Sequence, residues 1–296
     1  MMTRFRPLTV AALVIGLASA AGAQQQQDFS AVQIKATKLA DNFYTLEGQG
    51  GMIGVLVGPD GVFMVDSQFA PLTEKIVAAI KQISDRPIKF LVNTHQHPDH
   101  TGGNENFAKL GVTVISRDEL RGRLAATTGR GAVPPAALPM LTYKGAITLH
   151  MNGEEVRLIP VPAAHTDGDT MIHFVKANVL MPGDFYRSVQ YPNIDRANGG
   201  SLKGMLAGFD AILEIANPTT KIVPGHGGVV DEKAVAEHRD MAIALRDRVA
   251  ALIKKGQTQE QIIASKPTAD YDAKVQQAGT TGERFIGQLY AELGGK

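Results

Sequence analysis

Short apolar runs separated by glycine-rich turns open the patterned part of the chain. Phe43-Tyr44-Thr45-Leu46, Gly54-Val55-Leu56-Val57 and Val62-Phe63-Met64-Val65 read as strands, with Glu47-Gly48-Gln49-Gly50-Gly51 and Gly58-Pro59-Asp60-Gly61 as turns. β-rich runs bounded by Gly and Pro favour tight reversals, so an antiparallel meander is expected. The period then lengthens. Ile76, Val77, Ile80 and Ile83 line one face of a helix over 71–84, with Glu74, Lys75, Lys81 and Gln82 outside. Pro71 suits its first turn. A strand at 88–94, helices near 104–110 and 117–126 and a strand at 112–116 follow. Strands alternating with helices argue for a sheet covered by helices.

Gly129, Gly131, Pro134, Pro135 and Pro139 make 129–139 the least regular stretch, either a plain surface loop or a segment overhanging a site. Strands return at 145–151 and 155–161 around Asn152-Gly153, a strong hairpin signal. Another pair reads at 172–175 and 179–181. A helix at 201–216 carries Leu202, Met205, Leu206, Phe209, Ile212 and Leu213 inward, and Lys221 to Pro224 forms a last strand. From 231 the composition shifts to helix formers. A long helix is expected at 231–255, a capping box at Thr258 to Gln261 starts another, and a final helix spans 281–293. These helices pack as core on the preceding domain; the alternative is a substrate-binding subdomain.

The first residues break the pattern in a different way. Arg4 and Arg6 precede an apolar run from Val10 to Ala18, and Ala21-Gly22-Ala23 ends it. A positive start, a short apolar run and a small-residue cleavage site describe a signal peptide over 1–23 and export to the periplasm. Gln24 to Val32 is polar and reads as frayed. Removing 1–23 removes two arginines and no acid, so the formal charge moves from +1 to −1. That balance points to neither nucleic acid nor an acidic membrane as a partner, and leaves a small-molecule substrate. The chain has no cysteine. Thiolate ligands, thiol nucleophiles and a lipid anchor on cysteine are therefore excluded, and a metal site must use His, Asp or Glu.

Chemistry concentrates where strands end. His95-Gln96-His97-Pro98-Asp99-His100 follows the apolar run Phe90-Leu91-Val92 and precedes Gly102-Gly103. His95 and His97, two apart on an extended or turning backbone, point the same way, and Asp99 and His100 face a second point nearby. Imidazole and carboxylate suit Zn²⁺, with Fe and Mn as alternatives. His165 follows Val161 and precedes Thr166-Asp167-Gly168-Asp169. Asp184 closes Pro182-Gly183-Asp184, and His226 lies in Pro224-Gly225-His226-Gly227. Five of the eight histidines fall in this set. His150, His173 and His238 read as structural or surface residues. Asp66 ends an apolar strand, either as a turn-former or as a carboxylate that orients a metal-binding imidazole. Tyr186 and Arg187, just beyond Asp184, are candidates for holding a substrate carboxylate.

The order H-x-H-x-D-H, His, Gly-Asp, Gly-His-Gly resembles the metallo-β-lactamase fold superfamily over about residues 30–230. The resemblance implies an α/β architecture (α+β in its four layers), an αβ/βα sandwich with metals on one edge between the sheets. It would comprise residues 24–230, with 231–296 a helical extension packed on the same domain. By matched motif, His95, His97 and His165 would bind a first metal and Asp99, His100 and His226 a second, with Asp184 bridging. The implied cofactor is two Zn²⁺ per chain. Two such ions ~3.5–4 Å apart lower the pKa of a shared water from ~15.7 toward ~7, giving hydroxide to attack an activated carbonyl, with Asp99 holding it in line. Some metallo-β-lactamases carry Cys and others Ser where this chain has Asp184; glyoxalase II and lactonases carry Asp. The turn at 47–51 matches the place of a substrate flap. Export favours β-lactam hydrolysis, while the bridging Asp favours a lactonase or glyoxalase-like thioesterase. Iron-binding redox members of the fold and a non-catalytic metal-binding protein are the remaining classes.

Overall fold

The computed structural model describes residues 28–275 and 279–295. The expected signal peptide lies outside the described residues. In the first sheet, strands β1 (Lys35–Lys38), β2 (Phe43–Glu47), β3 (Ile53–Leu56) and β4 (Val62–Val65) form the meander. From β4 the chain crosses over helices: α1 (Thr73–Lys81) leads to β5 (Ile88–Val92), α2 (Pro98–Thr101) and α3 (Asn104–Lys109) lead to β6 (Thr113–Arg117), and α4 (Asp118–Ala126) leads to β7 (Leu141–Tyr143). The pairs β4–β5, β5–β6 and β6–β7 are parallel, completing a seven-stranded sheet in chain order.

The second sheet runs β12-β11-β10-β9-β8. Its strands are β8 (Ile147–Met151), β9 (Glu154–Pro160), β10 (Thr170–Phe174), β11 (Val179–Gly183) and β12 (Lys221–Pro224), with α5 (Leu202–Ile215) crossing between the parallel pair β11 and β12. Helices α6 (Glu232–Lys254), α7 (Gln259–Ala264) and α8 (Gly282–Glu292) follow. The capping box forms as expected, with Thr258 accepting from the Gln261 N–H and Gln261 accepting from that of Thr258.

Alternation along the strands stacks these elements into four layers. Phe63, Val65, Val92 and Ile115 of the first sheet meet Val156, Leu158, Ile172, Phe174 and Met181 of the second. The opposite face of the first sheet, with Val62, Met64, Leu91 and Val114, is covered by Ile76 and Ile80 of α1 and Phe107 of α3. The far face of the second sheet, with Met171, Leu180 and Ile222, is covered by α5, α6 and α8 through Phe209, Val235, Leu245 and Phe285. Successive strand residues point to opposite faces, so one apolar run serves two cores. Burying a Phe or Leu side chain of this kind contributes about 1.5–3 kcal/mol.

Three local expectations change. The segment 28–32 is pinned rather than frayed, because the Lys75 ammonium donates to the carbonyls of Phe29, Ser30 and Val32 at 2.9, 2.6 and 2.8 Å. The helix expected over 71–84 starts as a 3₁₀ turn at Ala70–Leu72 and ends at Lys81. The strands β1 and β7 were not anticipated.

Candidate metal centre

β4, β5, β11 and β12, and the loop after β9, all deliver side chains to one edge of the sandwich. Asp66 follows β4, the His95–His100 segment follows β5, His165 follows β9, Asp184 follows β11 and His226 follows β12. The first two belong to one sheet and the last three to the other. The site therefore bridges the sheets, at the strand termini where α/β folds build sites.

Two groups of side chains converge there. In each group one nitrogen or oxygen per residue lies within 4.8 Å of all the others: His95, His97, His165 and Asp184 in one, Asp99, His100, His226 and Asp184 in the other. Asp184 is common to both. Its Oδ2 stands 3.5 Å from His95 Nε2 and 3.7 Å from His165 Nε2, and its Oδ1 stands 3.2 Å from His100 Nε2 and 3.4 Å from His226 Nε2. Burial and close packing of glycine make this approach feasible. A Cβ on Gly225 would stand 2.0 Å from Asp184 Oδ1, and one on Gly51 would stand 2.1 Å from His100 Cε1. The glycine preceding His226 is thus a steric requirement of the site.

The outer nitrogens of four of the imidazoles are already engaged, which fixes their tautomers. His97 Nε2–H donates to Asp195 Oδ2 at 2.8 Å, and His165 Nδ1–H donates to the Asn193 carbonyl at 2.7 Å. His100 Nδ1–H donates to Asp66 Oδ2 at 2.7 Å, and His95 Nδ1 lies 3.1 Å from Thr94 Oγ1. Asp66 itself accepts from the Thr94 N–H and hydroxyl, both at 2.8 Å. It adopts a left-handed backbone with φ of 62° while serving this carboxylate role, so it both turns the chain and orients His100. What remains is a set of inward lone pairs. His97 Nδ1 sits 3.1 Å from His95 Nε2 and 3.0 Å from His165 Nε2, and these atoms have no hydrogen to share once the outer nitrogens hold theirs. Asp184 Oδ1 is buried without a hydrogen-bond partner. Crowded lone pairs and an orphaned carboxylate oxygen fit a divalent cation in each group, and the all-oxygen-and-nitrogen donor set suits zinc.

The electrostatics follow the same layout. Burial lowers His165 to about 3 against the Asp184 attraction, and it lowers His95 well below the usual range. Burial also opposes charge on His100, but Asp184, Asp66 and Asp99 together raise it well above an ordinary imidazole. Asp99 is raised by burial and more than compensated by His100 and His226, ending at about 2. It is ionised at neutral pH. Asp195 is held well below the usual carboxylate range, chiefly by the His97 hydrogen bond. In the loop after His165, the Thr166 N–H and hydroxyl donate to the buried Asp169 carboxylate at 3.0 and 2.5 Å, closing the turn that presents the imidazole.

Tyr186 requires a correction. It is 1% exposed and its ring packs edge-on against Phe209 and His238, so it belongs to the core under α5 and α6 and does not reach the centre. Arg187 does reach it, but as a partner of Asp184 rather than as a free cation. The turn at 47–51 is held down rather than raised as a flap. Gly51 N–H donates to the Asp99 carbonyl at 3.0 Å, Met52 N–H to the Gly225 carbonyl at 2.9 Å, and Gln68 donates to the Gly51 carbonyl at 2.8 Å. The irregular 129–139 stretch does overhang. With Leu124 and Gln96, its Val133, Pro134 and Ala137 wall a cavity of about 470 Å³ that opens beside His97. Asp195 and Asn193 were not anticipated. Their stretch, Pro192-Asn193-Ile194-Asp195, has a turn former's composition, and Asp195 indeed caps the 3₁₀ turn Arg196–Asn198. Nothing local announces an imidazole 98 positions away.

Residues 47–226 match the family model described as the metallo-beta-lactamase superfamily, and the chain belongs to that superfamily, whose members are metal-dependent hydrolases. Among relatives, it is 21% identical over 257 residues to the linear primary-alkylsulfatase of Pseudomonas sp. (strain ATCC 19151), covering 71% of this chain and 48% of that protein. It is 27% identical over 162 residues to a hydroxyacylglutathione hydrolase of Polaromonas sp. (strain JS666 / ATCC BAA-500), covering 53% of this chain and 55% of that protein. The chain spans about half the length of these relatives. In fold it overlays a double mutant of the sec-alkyl sulfatase PisA1 with a TM-score of 0.72 at 18% identity, over 88% of this chain and 50% of the other. It overlays a metallo-beta-lactamase from Pontibacter korlensis with a TM-score of 0.61 at 19% identity, over 71% and 99%.

Proposed function

We propose that this protein is an exported dinuclear zinc hydrolase that cleaves an activated carbonyl, with a β-lactam amide as the leading substrate class. One observation carries the reading: the two oxygens of a single buried carboxylate, Asp184, face two separate ligand groups. His95, His97 and His165 would hold the first ion and Asp99, His100 and His226 the second, with Asp184 between them. When bound, such a pair supplies Lewis acidity to a substrate carbonyl and makes water acidic enough to yield hydroxide near neutral pH.

The chain's own residues do the rest. Asp195, Asn193 and Asp66 hold protons on the outer nitrogens of His97, His165 and His100, so the inner nitrogens are the ones turned toward a metal. Asp99, a quarter exposed and ionised, accepts a hydrogen bond from the attacking water and aligns it. The cavity beside His97 offers apolar walls to the part of the substrate away from the reacting bond. The charged start, apolar run and small-residue end of residues 1–23 support export to the periplasm, where β-lactams act.

The test is metal analysis of protein purified from the periplasm, followed by penicillin, cephalosporin, carbapenem, lactone and thioester substrates. His97→Ala should lower hydrolysis beyond the roughly 10–100-fold loss typical of removing a ligand's hydrogen-bond partner, with the fold intact by circular dichroism. Unchanged turnover in that variant would defeat the mechanism. A second reading, sulfate-ester hydrolysis, is favoured by the extent of the alkyl sulfatase overlap, which exceeds that of the β-lactamase. An alkyl sulfate belongs in the same panel, and turnover of it alone would move the assignment there.

A further inference from the structure

Arg187 is a largely buried cation that the proposed chemistry does not use. Its side chain is 13% exposed. Nη2 donates to Asp184 Oδ2, and Nη1 donates to Gln190 Oε1 at 2.8 Å. Gln190 is itself buried, and the same oxygen accepts from the Thr280 N–H at 3.4 Å. The guanidinium is thereby fixed between the shared carboxylate and a segment close to α8. The two oxygens of Asp184 are unequally engaged as a result. Oδ2, which faces His95 and His165, is shared with a full positive charge; Oδ1, which faces His100 and His226, has no hydrogen-bond partner.

We propose that Arg187 is a positioning residue that divides the two metal sites by affinity, so that the Asp99, His100 and His226 site fills first and the His95, His97 and His165 site fills second. The inference rests on the dinuclear reading above. The second-filling site has three imidazoles, and its only carboxylate oxygen is also the guanidinium's acceptor. The first-filling site has two carboxylates, and the Asp184 oxygen on that side, Oδ1, is not shared with the guanidinium. A fixed cation a few ångströms from a divalent ion in a partly buried setting weakens binding by Coulomb repulsion, and it acts more on the nearer site. At limiting zinc the protein would therefore carry one ion, and a reaction that needs both would rise only with the second equivalent.

The experiment is zinc binding to the full, metal-depleted chain, read by competition with a chromophoric chelator. Wild type should bind two ions in steps separated by at least about tenfold, the direction that repulsion at ångström range dictates. His165→Ala should lose the weak step alone, and His226→Ala the tight one. Arg187→Met should tighten the weak step by about tenfold more than it tightens the tight step, and Arg187→Lys should restore the separation. Two equal steps in wild type, or loss of the tight step in His165→Ala, would overturn the inference while leaving the dinuclear reading standing. Equal loosening of both steps in Arg187→Met would also overturn it, since Arg187 would then be only a structural prop. Failure of wild type to bind zinc would overturn the dinuclear reading and this inference with it.

Discussion

At the scale of single residues, the histidines and aspartates that converge were legible because each is announced by its neighbours. An apolar strand, a turn-permitting glycine and a histidine or aspartate recur at the 95–100 loop, Asp184 and His226, and His165 shares the strand and the turn. The residues that orient the ligands were not legible, because Asp195 meets His97 only through the fold. Tyr186 was misplaced for a related reason: the chain turns at Gly183, with φ of 64°, and sends Asp184 and Tyr186 to opposite sides. The aromatic nest around Tyr186 carries a pH prediction of its own. His238 packs edge-on against Tyr186 and Phe209, its Nε2 has no partner, and burial lowers it from 6.5 to about 4. Unfolding returns it to the ordinary value. Between about 6.5 and about 4 the unfolded chain then binds a proton that the folded one refuses, so this contribution to stability is intact above the window and lost as pH falls through it. Thermal midpoints measured from pH 7 to 5 should fall less steeply in His238→Phe than in wild type; parallel slopes would remove His238 as a source.

At the scale of elements, the strands and helices with internal periodicity were placed to within a few residues. The edge strands were not. β1 is Lys35-Ala36-Thr37-Lys38, exposed throughout, and β7 is three residues long, so neither carries an alternation to read. Both exist because a neighbour offers unpaired backbone groups: β1 pairs with β2 and β7 with β6. The turn between β2 and β3 was matched to the place of a substrate flap, yet Gly51 is there to let backbone pass against the His100 ring. Gly51→Ala should therefore destabilise the protein by about 1–3 kcal/mol through overpacking and weaken zinc binding at the Asp99, His100 and His226 group. Gly122→Ala is the matched control, since a Cβ there meets nothing within 4 Å and lies in α4, where alanine is the better helix former. Denaturant midpoints and zinc content measure both, and equal behaviour of the two variants would refute the steric argument.

At the scale of the molecule, the four layers hold two sheets in a fixed relation, and only that relation makes the centre. The imidazoles of the 95–100 loop come from the first sheet, while His165, Asp184 and His226 come from the second. The C-terminal helices contribute by covering the far face of the second sheet, where Val235, Leu245, Phe285 and Leu289 are fully buried. They also reach toward the centre through Gln288, which donates to Asn193 Oδ1 and to the Ile194 carbonyl, both at 3.0 Å, beside the carbonyl that orients His165. Their packing was foreseeable from amphipathic spacing, but this link to His165 depends on contacts about a hundred positions apart. The most direct measurement is anomalous diffraction at the zinc edge from crystals of the zinc-loaded protein. Two peaks about 3.5–4 Å apart, one beside each imidazole group and with Asp184 between them, are the expected result. A single peak, or two peaks with Asp184 coordinating neither, would contradict the account.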